Sequence, residues 1–186
     1  VARVIPAALS LLALCLSAPP SGAAPLHPVV FQSEEVTLTL YPDVLEVVGR
    51  YRFVNTSDAS ARLGIRFPFP VDGGHPVPAL VEADVEGLRL LPDAAAWRLS
   101  LGPREVRDVT VRYLQPHDGR SATYITTSAR AWRRPLEHAR FVVRWPASLG
   151  EVRASVPLET RIEGGDRVGV FEASAYVPDV DVELRW

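Results

Sequence analysis

The sequence predicts an all-β fold, an antiparallel β-sandwich of roughly ten short strands with little helix. Three observations predict it. From Val29 onward, apolar and polar residues alternate with a period of two, as in strands with one buried and one wet face. Turn residues recur between these runs, at Pro42-Asp43, Asp72-Gly73-Gly74, Glu86-Gly87, Gly102-Pro103 and Gly164-Gly165. No segment carries the apolar spacing of a long helix; Pro92–Ala96 and Ser128–Arg134 each leave room for one turn.

The elements follow in order. Val36, Leu38 and Leu40 alternate with Thr37, Thr39 and Tyr41. Val44 to Val54 is a long strand in which Gly49 marks a bulge or a close backbone approach. Tyr51 and Phe53 share one face, with Arg50 and Arg52 on the other. Asn55-Thr56-Ser57-Asp58 supplies turn chemistry, and Leu63, Ile65 and Phe67 then resume the period. Pro68 and Pro70 end that run, since proline has no N–H for a central ladder. The two strands around the turn are expected to pair, and their five apolar side chains to form one buried layer. Short strands follow at Leu80–Val85 and Leu88–Leu91. Longer runs cover Trp97–Leu101, Val106–Leu114, Ala122–Ser128 and Phe141–Trp145. Glu151–Val156, Arg167–Ala173 and Val180–Trp186 complete the set.

The amino terminus reads as a secretory signal, with Arg3, an apolar run from Val4 to Leu16, and Ser21-Gly22-Ala23 as the cleavage site. The apolar run is short for a membrane span, which needs about 20 residues. The expected organisation is a signal over residues 1–23, a leader over 24–28 and one β-sandwich domain over 29–186. The expected address is secreted or periplasmic, with no transmembrane span in the mature chain. The sole cysteine, Cys15, lies in the signal, so the mature protein would have no disulfide or thiolate site. All 20 basic residues are arginine, and the net charge of −2 gives no argument for a nucleic-acid partner.

One family resemblance rests on the stretch from Tyr51 to Pro70. Tyr51, Phe53 and Asn55, a polar turn, and then Phe67-Pro68-Phe69-Pro70 stand in the order seen in the VIT domain, the sandwich module of vault and inter-alpha-trypsin proteins. The following strand with its glycine turn, Val81–Gly87, the Gly102-Pro103 turn before the strand ending in Tyr113, and the closing Phe171–Trp186 also resemble it. Ser121–Pro146 is more similar to uncharacterised bacterial secreted proteins. The resemblance implies a sandwich and an extracytoplasmic address. It implies no reaction, because a fold does not carry an activity with it.

Few residues suggest chemistry. Trp132-Arg133-Arg134 is the contact candidate: an exposed Trp beside two arginines could stack on a sugar or hold an acidic partner. The plainer expectation is that Trp132 plugs one end of the sandwich. His27, His75, His117 and His138 show no ligand spacing, and those at 75 and 117 sit in turns that favour solvent. Asp179, Asp181 and Glu183 read as a wet strand face rather than a calcium loop. Asn55-Thr56-Ser57 fits a glycosylation sequon but reads as turn chemistry. There is no G-x-S-x-G elbow and no phosphate-cradling loop.

The expected function is an exported, non-catalytic interaction or structural module of the periplasm or cell envelope. It would have a protein or envelope partner and no cofactor or metal. The alternatives are a carbohydrate-binding module using Trp132, and an enzyme with an unrecognised site.

Overall fold

The computed structural model describes residues 27–186. The signal expected over residues 1–23, and the leader up to residue 26, lie outside the described residues. Thirteen strands lie among the described residues. They are β1 (Val29–Leu40), β2 (Val44–Asn55), β3 (Ala61–Pro68), β4 (Leu80–Ala83) and β5 (Arg89–Leu91). Next come β6 (Ala94–Leu101), β7 (Val106–Pro116), β8 (Ser121–Tyr124) and β9 (Leu136–Pro146). The last four are β10 (Arg153–Ala154), β11 (Glu159–Glu163), β12 (Asp166–Tyr176) and β13 (Val182–Arg185). The only helical pieces among the described residues are two 3-10 turns, Thr127–Trp132 and Ala147–Leu149.

One layer is a seven-stranded sheet in the order β11-β12-β9-β1-β2-β7-β4. The other consists of two three-stranded sheets, β3-β6-β5 and β10-β13-β8. Phe67 of the first small sheet, beside Trp97 of the same sheet, packs edge-on to Tyr51 and Tyr113 of the large one. Tyr124 of the second packs against Phe141. All three inward faces therefore feed one core. The expected all-β sandwich is present. Its large sheet is mixed rather than purely antiparallel, because β1 and β9 pair in parallel. Side-chain alternation reports faces and carries no strand direction, so this pair is invisible to periodicity.

Two local expectations are corrected. β2 and β3 do not pair. β2 lies between β1 and β7, while β3 pairs β6 in the opposite layer. The turn after Asn55 carries the chain from one layer to the other, and Asn55 secures it. Its Nδ2 donates to the carbonyls of Ala59 and Gly102, both at 2.7 Å. Its Oδ1 accepts from the N–H and Oγ of Ser57. Asn55 is fully buried, which agrees with turn chemistry rather than a modification site. Asn55→Ala should cost about 2 kcal/mol in urea unfolding, since the freed carbonyls lie near solvent and regain partial hydration. A loss below about 0.5 kcal/mol would show that the turn holds itself. The second correction concerns Pro92–Ala96, which forms no helical turn: the chain turns at 92–93 and enters β6 at Ala94.

The wet face of β2 behaves as read. Arg50 and Arg52 both pair with Asp108 on β7. Its carboxyl is held down to about 2, chiefly by the Arg52 hydrogen bond.

Candidate functional site

The site lies along the seam between the two small sheets. β3 is the edge strand of one and β8 of the other, so neither outer edge has a strand partner among the described residues. Beneath the seam run β1 and β2. β1 pairs β9 only from Ser33 onward, so Val29–Gln32 has a strand on its β2 side alone. The 3-10 turn Thr127–Trp132, which follows β8, lies over this region.

That turn is fixed from the far end of the chain. Asp181 Oδ1 accepts the backbone N–H of Thr126 and of Thr127, at 3.0 and 2.8 Å. Arg130 donates to the carbonyls of Pro178 and Asp179. A carboxylate on exposed helix-start N–H groups offsets their partial positive charge. Asp179, Asp181 and Glu183 therefore do not form one wet strand face as expected. Only Glu183 lies on a strand, and Asp181 is a half-buried clamp.

The clamp delivers Trp132 onto Phe31 and Phe53, with ring centroids 5.8 and 5.5 Å apart. One part of its ring joins the core edge and another lines a cavity of about 500 Å3. Phe31, Leu63 and Ile65 supply apolar wall, and Arg66, Arg133 and Arg134 supply charge. Trp132 is therefore half-buried, packed on the core edge and bordering a cavity. Arg133 takes a left-handed backbone conformation, φ 55°, where the 3-10 turn ends. This places consecutive exposed arginines at the cavity. Among the described residues neither forms an ion pair, whereas Arg66 is held by Asp93 at 2.7 Å.

The five side chains expected to share one layer do meet there, but unequally. Tyr51 and Phe53 are buried. Leu63, Ile65 and Phe67 are half-buried, because β3 is an edge beside the cavity. Part of this supposed spine is thereby a wall of the site.

Sequence reasoning missed Glu34. A bulge between Phe31 and Ser33 shifts the alternation, so Glu34 points inward with Val36, Leu38 and Leu40. It is 3% exposed and lines a smaller cavity, about 50 Å3, bordered also by Trp132. Tyr124 Oη donates to Glu34 Oε2 at 3.0 Å. Tyr124 lies 3.1 Å from the Tyr51 hydroxyl, which must then be the donor to it. Glu34 Oε1 has no partner among the described residues. Burial pushes this carboxyl up to about 7, against the smaller opposing effect of the Tyr124 bond. The signal was available: Glu34 shares parity with three buried aliphatic residues.

The histidines are dispersed. His75 corrects its expectation: it is buried, with Nδ1 2.9 Å from Asp72. His117 is half-buried and packs edge-on to Trp186. His138 pairs with Glu172 on the large sheet, and His27 lines the cavity. Among the described residues, no three His, Cys, Asp or Glu side chains gather as a metal site. Nor is any helix there long and apolar enough to cross a membrane.

No family model matches the chain, and no curated protein matches it. A solved structure from Legionella pneumophila, described as a candidate nutrient-binding protein, is similar at TM-score 0.65 and 15% identity. The match covers 86% of this chain and 67% of that one. An M1 zinc metallopeptidase from Deinococcus radiodurans aligns at TM-score 0.49 and 14% identity, covering 85% of this chain and 42% of its own. At such identities the Legionella likeness shows a shared fold, and the chain spans under half of the peptidase.

Proposed function

We propose that this protein is an exported, non-catalytic binding module that takes a ligand into the cavity beside Trp132. One observation carries the reading: the single stretch singled out for contact, Trp132-Arg133-Arg134, borders a cavity of about 500 Å3. Ligand pockets typically measure ~300–1,000 Å3, with mostly apolar walls and a few polar groups. The description of the Legionella structure as a candidate nutrient-binding protein is compatible with this reading. Export rests on the signal-like residues 1–23. A VIT-like relationship belongs to the same proposal. It rests on the Tyr51–Pro70 motif, whose Phe67 and Phe69 both pack edge-on against Tyr113.

A sugar stacked on an open aromatic platform is less well supported, since the Trp132 ring is half-buried against Phe31 and Phe53. Native mass spectrometry of the protein purified from its own host tests the reading. The expected result is a small-molecule adduct that is lost in Ala131→Trp, a substitution at an exposed residue lining the cavity. An adduct-free wild type, or an adduct retained in that variant, would contradict it.

A further inference from the structure

We propose that the ligand of this cavity is a small anionic amphiphile, an aliphatic or aromatic carboxylic acid with its apolar body in the cavity and its carboxylate on Arg133 and Arg134. This rests on the reading of the cavity as a binding site and specifies the ligand class.

The walls select the body. Val29, Phe31, Leu63, Ile65 and Trp132 present hydrocarbon and aromatic surface, and burying apolar area there is favourable in proportion to the area removed from water. A strongly hydrated ligand would leave its polar groups unpaired against these residues.

The charges select the head. Among the described residues no carboxylate lines the cavity, although the chain as a whole carries 22 acidic residues against 20 basic ones. Arg66 is already neutralised by Asp93. Arg133 and Arg134 keep their guanidinium groups unpaired among the described residues, and both are exposed, so their charge needs no internal partner. Guanidinium groups match the planar geometry of a carboxylate and bind it with paired, charge-assisted hydrogen bonds. His27 also lines the cavity. Its Nδ1 accepts from the Val29 N–H at 3.1 Å, so in the neutral ring the proton sits on Nε2.

The arrangement also explains the position of the charges. A carboxylate taken to the bottom of an apolar cavity would lose hydration without compensation. Held at exposed arginines, it keeps contact with water while the body is buried.

The test is isothermal titration of the full chain with decanoate, decanol and decyltrimethylammonium, with circular dichroism confirming that each variant folds. Decanoate should bind at least about tenfold more tightly than either of the others. The double variant Arg133→Ser, Arg134→Ser should weaken decanoate about tenfold to a hundredfold and leave decanol unchanged. Trp132→Leu should weaken both ligands. Equal affinity for decanoate and decanol, or a double variant that binds decanoate like the wild type, would overturn the acid assignment while leaving the cavity reading intact. Binding of trileucine with a free carboxylate, but not of decanoate, would overturn it in favour of a peptide terminus. If none of these bind while the native adduct is present, only the ligand class fails. If that adduct is absent as well, the cavity reading fails with it.

Discussion

Glu34→Gln should raise the unfolding free energy at pH 8 by up to about 3 kcal/mol and leave it nearly unchanged at pH 4. The carboxyl is raised by burial from 4.5 to about 7 in the folded protein. A raised value means that the folded state binds the proton more tightly than the unfolded chain does. The support this group lends the fold is complete below about 4.5 and is lost as pH rises through about 7. At ~1.4 kcal/mol per pH unit between the two values, the loss comes to about 3 kcal/mol. Glutamine keeps an acceptor for the Tyr124 hydroxyl and never ionises, so its profile should lack this descent. Urea unfolding of both proteins from pH 4 to 9 is the check. All other titrating groups are common to the two, so parallel curves would show that Glu34 does not titrate in that range. A carboxyl that lowers stability at neutral pH beside a cavity is itself a candidate for function.

Gly49→Ala should destabilise the protein by about 3 kcal/mol, through the same network. A Cβ at Gly49 would overlap the Tyr51 hydroxyl and ring, which lie across the glycine on the inward face of β2. The tyrosine is buried and its hydroxyl is hydrogen-bonded to Tyr124, so moving the ring aside breaks that bond. The added methyl therefore strains the core and breaks the Tyr51–Tyr124–Glu34 chain together. A double-mutant cycle isolates the effect. In a Tyr51→Leu background, Gly49→Ala should cost under about 1 kcal/mol, because the obstructing ring is gone. An equal cost in both backgrounds would place the strain in the backbone instead.

Much of the fold was legible in the sequence because burial follows a period of two: β2 and β7 obey it, and β1 does so on each side of its bulge. The close approach at Gly49 was legible as an alternative to a bulge; the bulge in fact lies in β1, between Phe31 and Ser33. Strand direction and layer assignment were not legible. The β1–β9 parallel pair and the crossing from β2 to β3 depend on long-range topology. At the site, Trp132, Arg133 and Arg134 stood out by composition alone. Their cavity did not, since its walls come from β1, β3 and the 3-10 turn, which only the folded chain brings together. Glu34 was hidden by its type rather than its position: its alternation with Val36 and Leu38 placed it inside, and its partner Tyr124 is 90 residues away.

The central claim is that the seam beside Trp132 receives a small carboxylic acid. A crystal structure of the protein grown with decanoate tests it most directly. The expected result is ligand density against Trp132, Phe31 and Ile65, with the carboxylate at Arg133 and Arg134. A structure with the seam empty and decanoate elsewhere on the surface would contradict it.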